Sequence, residues 1–159
     1  MAVWTVYLSL CLLVALSASV ETNPIGSERC RVCTDDWRVF GCRCFKFFYN
    51  LQTWIDAEKF CLDLDGNLAS AHSVEEYTFI ERLIRYEAAS STRAWIGGHD
   101  AVQEGVWLWS DGTKMNFEYW SPEPDDDWYN ERCLELKYTS GGYWDDDVCT
   151  VKKPFVCVR

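Results

Sequence analysis

Basic side chains are scarce in this chain, and histidine is almost absent. There are 15 Lys and Arg against 25 Asp and Glu, a formal net charge of −10, and only 2 His. A surface this acidic repels polyanions, so nucleic acid is disfavoured as a partner, whereas a metal cation or a neutral ligand fits. With so few His and a single Cys-x-x-Cys, formed by Cys30 and Cys33, a structural zinc site is also disfavoured.

Long hydrophobic runs are lacking as well, apart from one at the N-terminus. Residues 2–20 contain no charged side chain, and the small residues Ala15, Ser17 and Ser19 suit signal-peptidase cleavage after Ser17 or Ser19. We predict a signal peptide over residues 1–19, a flexible leader over 20–32 and one domain over 33–159, in a secreted, extracellular protein. A membrane span usually needs about 20 apolar residues, and no second long run follows, so membrane insertion is not expected.

Cysteine, in contrast, is abundant. The chain has 9 Cys, and Cys11 leaves with the predicted signal peptide. An even number in a secreted chain indicates a disulfide framework, but spacing alone does not determine how the thiols pair. The remaining cysteines are Cys30, Cys33, Cys42, Cys44, Cys61, Cys133, Cys149 and Cys157.

Hydrophobic periodicity predicts two helices followed by an irregular, strand-rich half, which is an α+β domain. Thr53 with Asp56, and Ser73 with Glu76, form capping boxes that begin helices ending near residues 64 and 86. The aromatic run at residues 37–49 predicts a pair of strands before the first helix. The second helix has an apolar stripe for core packing, and its members are Val74, Tyr77, Ile80, Leu83 and Ile84. Short apolar runs after residue 93 predict further strands: AWIGG, VWLWSDG, FEYW, CLELKY, GYW and PFVCV.

Acidic residues are concentrated between residues 123 and 147. Nine Asp and Glu lie there, and only Arg132 and Lys137 oppose them. A charge run is usually no more than a solvated loop, but carboxylates are also the usual anionic ligands of Ca2+. The long segment without clear periodicity at about residues 110–132 is typical of a functional loop. A bound metal cation is therefore one interpretation of this cluster, and a solvated acidic loop is the other.

A set of ordered landmarks runs through the chain from Cys33 to Cys157. They are Cys33, Trp37, Gly41 and Cys44, then Ala57 and Cys61, GNLAS at 66–70, WIGG at 95–98, Trp109, Asp111 and Gly112, Trp120, EPD at 123–125, Glu131 and Cys133, WDD at 144–146, Cys149, and FVC at 155–157. In these residues the chain resembles a C-type lectin-like domain of the long form over about residues 33–159. It is similar to small soluble lectins of fish, a set that also includes the type II antifreeze proteins. The resemblance implies two helices plus short antiparallel sheets and a long calcium-binding loop, stapled by disulfides.

The resemblance also implies three disulfides. They are Cys33–Cys44, Cys61–Cys157 and Cys133–Cys149. Cys30 and Cys42 are left over, and they either pair with each other or form an interchain bridge that would make an oligomer. We favour the intrachain pair because both residues flank a hairpin that is already bridged.

Two calcium sites are implied by the resemblance, carried over one residue at a time. The principal site has five carboxylates as ligands: Glu123, Asp125, Glu131, Asp145 and Asp146. A second, weaker site would use Asp100, Glu104 and Asp126. The next acid expected for it falls at Arg132, whose charge repels a metal, so the second site is expected to be empty or weak. The alternative role of Asp100 and Glu104 is to cap their loop.

In the resembling family, sugar binds through two hydroxyls that coordinate the calcium and are also held by carboxylates and side-chain amides. EPN in this loop goes with mannose-type sugars and QPD with galactose-type sugars, but this chain has EPD, and Asp145 stands where Asn is typical. Carboxylates only accept hydrogen bonds, so the amide donors are missing. Asp125 is nevertheless the galactose-type residue, and Trp128 either stacks on galactose or only covers the loop. The predicted ligand-binding set is Glu123, Asp125, Trp128, Glu131 and Asp145.

The resemblance therefore predicts a secreted calcium-dependent lectin that binds glycans, with galactose-type sugars favoured, in innate defence or glycan recognition. One alternative is an ice-binding protein of the type II antifreeze kind, and another is a lectin-like module that binds a protein. An enzyme is not expected, since we find no Ser/His/Asp set and no candidate nucleophilic Cys. The clustered carboxylates suit a metal better than glycoside hydrolysis.

Overall fold

The computed structural model describes residues 30, 32–34, 36–88, 92–122, 130–137 and 142–159. In these ranges the helices are α1 (Trp54–Leu62) and α2 (Val74–Ala88). The strands are β1 (Arg38–Phe40), β2 (Arg43–Gln52), β3 (Asn67–Leu68), β4 (Arg93–His99), β5 (Leu108–Trp109), β6 (Glu131–Lys137), β7 (Tyr143–Val148) and β8 (Lys153–Val158). The predicted α+β class is confirmed.

The described strands form one sheet in the order β1-β2-β8-β4-β6-β7, with β3 added on β8 and β5 on β4. All pairs are antiparallel except β4 with β8, where Trp95 is opposite Phe155. The expected antiparallel pairing therefore holds between the described strands, with the β4–β8 contact as one parallel addition. The reason is that the last strand returns to the middle of the sheet and pairs with β2 on one side and β4 on the other.

Both helices begin where their capping boxes predict. The Thr53 hydroxyl accepts a hydrogen bond from the Asp56 N–H at 3.3 Å, and the Ser73 hydroxyl accepts one from the Glu76 N–H at 3.2 Å. These bonds satisfy backbone donors that a helix N-terminus leaves without a partner. The helices end at Leu62 and Ala88, within two residues of the predicted ends.

One predicted strand is missing. The run FEYW at residues 117–120 forms no strand, and its backbone pairs with the described sheet through an isolated bridge from Trp120 to Trp144. Its aromatic rings pack instead, with Tyr119 against Tyr77 at 4.6 Å and Phe117 against Trp144 at 5.5 Å between ring centroids. The apolar pattern in this segment reflects side-chain packing rather than strand pairing.

The core lies on both faces of the central strands. Trp95 and Phe155 belong to one buried cluster with α1 residues, whereas Ile96 and Val156 belong to another with α2 residues. Neighbouring residues of a strand point to opposite faces, so each helix covers one face of the sheet. The second glycine of WIGG is required for close packing, because a Cβ on Gly98 would lie 2.5 Å from a methyl of Leu134.

Four disulfides staple this sheet. They are Cys30–Cys42, Cys33–Cys44, Cys61–Cys157 and Cys133–Cys149. Three are the pairs that the resemblance implies, and the fourth joins the two cysteines left over within the chain. No helix of the described residues is long and apolar enough to cross a bilayer.

Candidate metal and ligand site

Strands β6 and β7 carry the three predicted principal ligands that the structure describes. Asp145 and Asp146 are neighbours on β7, so their side chains point to opposite faces of the sheet. Glu131 is opposite Val148, and the register slips by one residue before Cys133, which is a β-bulge. Opposed residues share a face, as do residues two apart on a strand. The bulge therefore places Glu131 on the same face as Asp146, and Asp145 lies on the other face.

Asp145 is already engaged by cations on its own face. Its carboxylate lies 3.1 Å from the Lys137 ammonium and 3.8 Å from the Arg93 guanidinium, and its side chain is buried. Lys137 is two residues further along β6 than Glu135, the residue that faces Asp145 across the ladder. Neither cation was recognised from the sequence as a partner of Asp145, although Lys137 was noted as one of two cations near the acids.

The remaining predicted site residues fall outside the described ranges. These are Glu123, Asp125, Asp126 and Trp128. Within the ranges that are described, no group of three or more His, Cys, Asp and Glu side chains could hold a metal ion. A complete calcium site would therefore need carboxylates from residues 123–129 in addition to those on β6 and β7.

The two residues of the predicted second site that the structure describes, Asp100 and Glu104, both lie beside an arginine. The Arg132 guanidinium lies 3.0 Å from a Glu104 oxygen and 4.0 Å from Asp100 Oδ1. Asp100 is buried, and its other oxygen accepts a hydrogen bond from the Gly105 N–H at 2.7 Å. Asp100 therefore caps its own loop, and the guanidinium of Arg132, which stands where the next acid of the site is expected, lies beside Asp100 and Glu104.

A buried ionic network lies beside Asp145. Glu135 has no exposed surface, and its carboxylate pairs with Lys153 and, at 2.8 Å, with Arg93. The Lys153 ammonium also contacts Asp147 at 2.5 Å and lies 4.1 Å from the centre of the Trp95 ring. Burial raises the pKa of Glu135 above its ordinary value, although the charges of Lys153 and Arg93 act in the opposite direction.

A polar cluster that no sequence pattern predicts connects β2, the segment between β3 and α2, and the loop after β5. Ser70 Oγ donates to Asp111 at 2.5 Å, receives a bond from Arg43 at 2.6 Å and lies 3.2 Å from His72 Nε2. The cluster contains Ser, His and Asp, but Ser70 is fully buried and its hydroxyl is committed to Asp111. The arrangement therefore holds three segments together and does not present a nucleophile to solvent.

Asp111 is the anion at the centre of this cluster. Burial alone would raise the pKa of Asp111, but hydrogen bonds from Ser70 and Thr113, with the charge of Arg43, outweigh burial and hold it below its ordinary value. No local motif indicates the cluster, because Ser70 is 27 residues from Arg43 and 41 residues from Asp111 in the chain.

A protein-family comparison decides what this architecture is. The model of the C-type lectin domain matches residues 50–159. The chain belongs to the C-type lectin family. It is also 38% identical over 157 residues to the galactose-specific lectin nattectin of Thalassophryne nattereri, an alignment that covers 98% of this chain and 95% of that protein.

Solved structures of type II antifreeze proteins are similar to this C-type lectin as well. One, described as Ca2+-dependent and in its Ca2+-free form, has 35% identity and a TM-score of 0.72, and the match covers 80% of this chain and 99% of that one. Another, described as calcium-independent, has 31% identity and a TM-score of 0.72, with 80% and 94% covered. The predicted resemblance is confirmed, and the contrast between these two proteins means that calcium binding must be argued from this chain's own residues.

Proposed function

We propose that this protein is a secreted, calcium-dependent lectin that prefers galactose-type sugars. The observation that carries the proposal is the shared face of Glu131 and Asp146, two carboxylates on neighbouring strands that the β6 bulge brings into line. The Cys133–Cys149 disulfide holds the same two strand ends together. Residues 123–129, which come shortly before β6 in the sequence, contain four further acids.

The residues fit calcium chemically. Ca2+ prefers several oxygen ligands, and the proposed set consists of carboxylates only: Glu123, Asp125, Glu131, Asp145 and Asp146. Glu131 and Asp146 would hold the ion from the sheet, and Glu123 and Asp125 from the preceding segment. Asp145 points to the other face and contacts Lys137, so it joins them only by leaving both that face and that contact, and we expect it to be the weakest contributor. When bound, calcium would supply coordination positions for sugar hydroxyls.

A site built only from carboxylates should bind sugars weakly. A hydroxyl bound to calcium can donate to a carboxylate, but it finds no amide N–H from which to accept. Each hydrogen bond lost in this way weakens binding by about 0.5–1.5 kcal/mol. We therefore expect modest affinity, with Asp125 and Trp128 directing the preference towards galactose. The similarity to nattectin supports the same preference.

The test is a glycan array with calcium and again with chelator, using the wild type and Glu131→Gln. We expect binding to terminal galactose that needs calcium and is lost in Glu131→Gln. Asp63→Asn, which alters an exposed carboxylate at the end of α1, serves as the control and should bind as the wild type does. Galactose binding that persists in chelator would contradict the calcium requirement, and mannose in place of galactose would contradict the preference.

Ice binding is the second candidate, and the similarity to the type II antifreeze structures favours it specifically. An ice-binding protein would shape ice crystals in dilute solution, whereas a lectin with no affinity for ice would leave them as discs. A folded, calcium-loaded protein that shapes ice and binds no glycan would establish the antifreeze alternative in place of the lectin.

A covalent partner is the remaining alternative, through a thiol of Cys30 or Cys42. The bond between these two residues occupies both thiols within one chain. We therefore propose a protein without an interchain disulfide, which runs at the same monomer mass on reducing and non-reducing gels. A dimer band that disappears on reduction would contradict this.

Secretion rests on the predicted signal peptide. We propose that the signal peptide is removed by cleavage after Ser17 or Ser19, so that protein recovered from the medium of expressing cells begins at Ala18 or Val20. N-terminal sequencing checks this directly. Protein that stays in the cell pellet with Met1 retained would contradict the proposal.

A further inference from the structure

Arg132 lies where a second calcium site would need an acid. We propose that its guanidinium takes the place of a second calcium ion and holds the loop between β4 and β5 in its folded form without metal. This inference concerns Asp100 and Glu104, and it stands whether or not the principal site binds calcium.

The β-bulge directs Arg132 towards this loop. Arg132 is the extra residue between Glu131 and Cys133, where β6 slips by one position against β7. Its carbonyl accepts a hydrogen bond from the Asp100 N–H at 3.2 Å, so its backbone is joined to the first residue of the loop. Its side chain then reaches Glu104 at 3.0 Å and Asp100 at 4.0 Å. One side chain thus connects the first residue of the loop with its middle.

Asp100 needs a positive charge at this place. Its side chain is only 5% exposed, and an anion buried to that degree is costly unless a cation or hydrogen bonds compensate it. Oδ2 accepts from the Gly105 N–H, whereas Oδ1 has no hydrogen-bond partner among the described residues. Among the described residues, the cation closest to Oδ1 is the guanidinium of Arg132. The guanidinium therefore supplies the compensation that an ion would supply in a metal-bound loop.

The same geometry excludes a metal as a neighbour. A guanidinium offers only N–H donors and keeps its charge at all ordinary pH values, so it gives no lone pair to a metal and repels it. Asp100 and Glu104 on their own leave too few oxygens for Ca2+. The residues present do not fit a second calcium ion, and replacing Arg132 with an acid should make them fit.

The decisive measurement is calcium stoichiometry by isothermal titration calorimetry on the wild type, Arg132→Glu and Arg82→Glu. Arg82 is an exposed residue of α2, so its variant makes the same change in net charge away from the loop. We expect Arg132→Glu to bind one ion more than the wild type, and Arg82→Glu to match the wild type. Equal stoichiometry in Arg132→Glu and the wild type would overturn the inference.

The additional calcium ion expected in Arg132→Glu does not depend on whether the principal site binds calcium. If the wild type binds no calcium, the proposed lectin function fails, but a change from no ion to one ion in Arg132→Glu still supports the role of Arg132. A wild-type stoichiometry that falls on Asp100→Asn would overturn the inference, because the wild type would then already hold an ion at this loop.

Hydrogen exchange gives a test that does not depend on loading a metal or on the folding of Arg132→Glu. The Gly105 amide reports on the loop because it donates to Asp100. In chelator we expect this amide to exchange severalfold faster in Arg132→Gln than in the wild type or Arg82→Gln, while amides of β8 stay protected in all three. Unchanged exchange at Gly105 in Arg132→Gln would overturn the inference.

Discussion

Asp111 shows how a single buried carboxylate makes stability depend on pH. Its folded-state pKa is lowered, so the unfolded chain binds the proton more readily than the folded one. The stabilisation is therefore fully present above the unfolded pKa of about 3.9 and is lost as pH falls through the lower, folded value. In chelator, we expect urea unfolding to show a fall in wild-type stability below about pH 4.

Asp111→Asn should remove the pH-dependent stabilisation that the ionised carboxylate provides. The variant keeps the shape but loses the charge that Arg43, Ser70 and Thr113 stabilise, so we expect a loss of about 1.5–3 kcal/mol at neutral pH. The gap between variant and wild type should narrow as the pH falls below about 4, because the wild-type carboxyl becomes neutral as well. Asp63→Asn is the control at an exposed position. A gap that stays constant down to strongly acidic pH would contradict the assignment.

Strands β4, β6, β7 and β8 are joined by charges as well as by backbone bonds. Lys153 on β8 lies between Glu135 of β6 and Asp147 of β7, and Glu135 has no exposed surface. Lys153→Met leaves that buried negative charge with Arg93 as its remaining cation among the described residues, so we expect a loss of about 3–5 kcal/mol of stability. Adding Glu135→Gln should restore a large part of the loss, since it removes the uncompensated charge.

Urea unfolding of the single and double variants measures this coupling. Lys59→Met, on the exposed side of α1, is the matched control and should cost less than about 0.5 kcal/mol. If the double variant is as unstable as the sum of the two single variants, then Lys153 acts through its packing on Trp95 and not through its charge.

The pairing of β6 with β7 also affects whether Asp145 can act as a calcium ligand. Lys137 competes with the ion for this carboxylate, so Lys137→Met should tighten calcium binding. The pair is partly exposed and worth up to about 1 kcal/mol, which corresponds to a gain in affinity of about three- to fivefold. Calorimetry against Lys59→Met checks this. Unchanged affinity in Lys137→Met would mean that Asp145 is not a ligand.

Helices and strands differ in how far the sequence predicts them. Local signals in the sequence predict the helices, whereas the pairing of distant strands depends on long-range contacts. The capping residues Thr53 and Ser73 and the stripe on α2 predict both helices, because their causes lie within one turn of chain. Val74 is the exception in that stripe, since at the first helical position it lies 46% exposed. The parallel contact of β4 with β8 follows from where the chain's end returns, and no local pattern encodes it.

The same division applies to the candidate site. Acid spacing and family resemblance identify the carboxylates, but which of them share a face depends on one bulged residue, Arg132. Period-two alternation breaks at a bulge, and nothing in the letters ERC marks where it breaks. The pairing of Asp145 with Lys137 is likewise a consequence of strand register and not of sequence distance.

The whole molecule should respond to calcium as one unit, because the proposed ion joins β6, β7 and the segment before them. Ligand that binds only the folded state raises stability by about 2.7 kcal/mol when its concentration is 100 times the Kd. We expect thermal unfolding to show this increment in the wild type and to lose it in Glu131→Gln. In chelator the two proteins should unfold at nearly the same temperature, since Glu131 lies at a partly exposed strand end. A wild type whose unfolding temperature is the same with calcium and with chelator would show that its acidic face does not bind the ion.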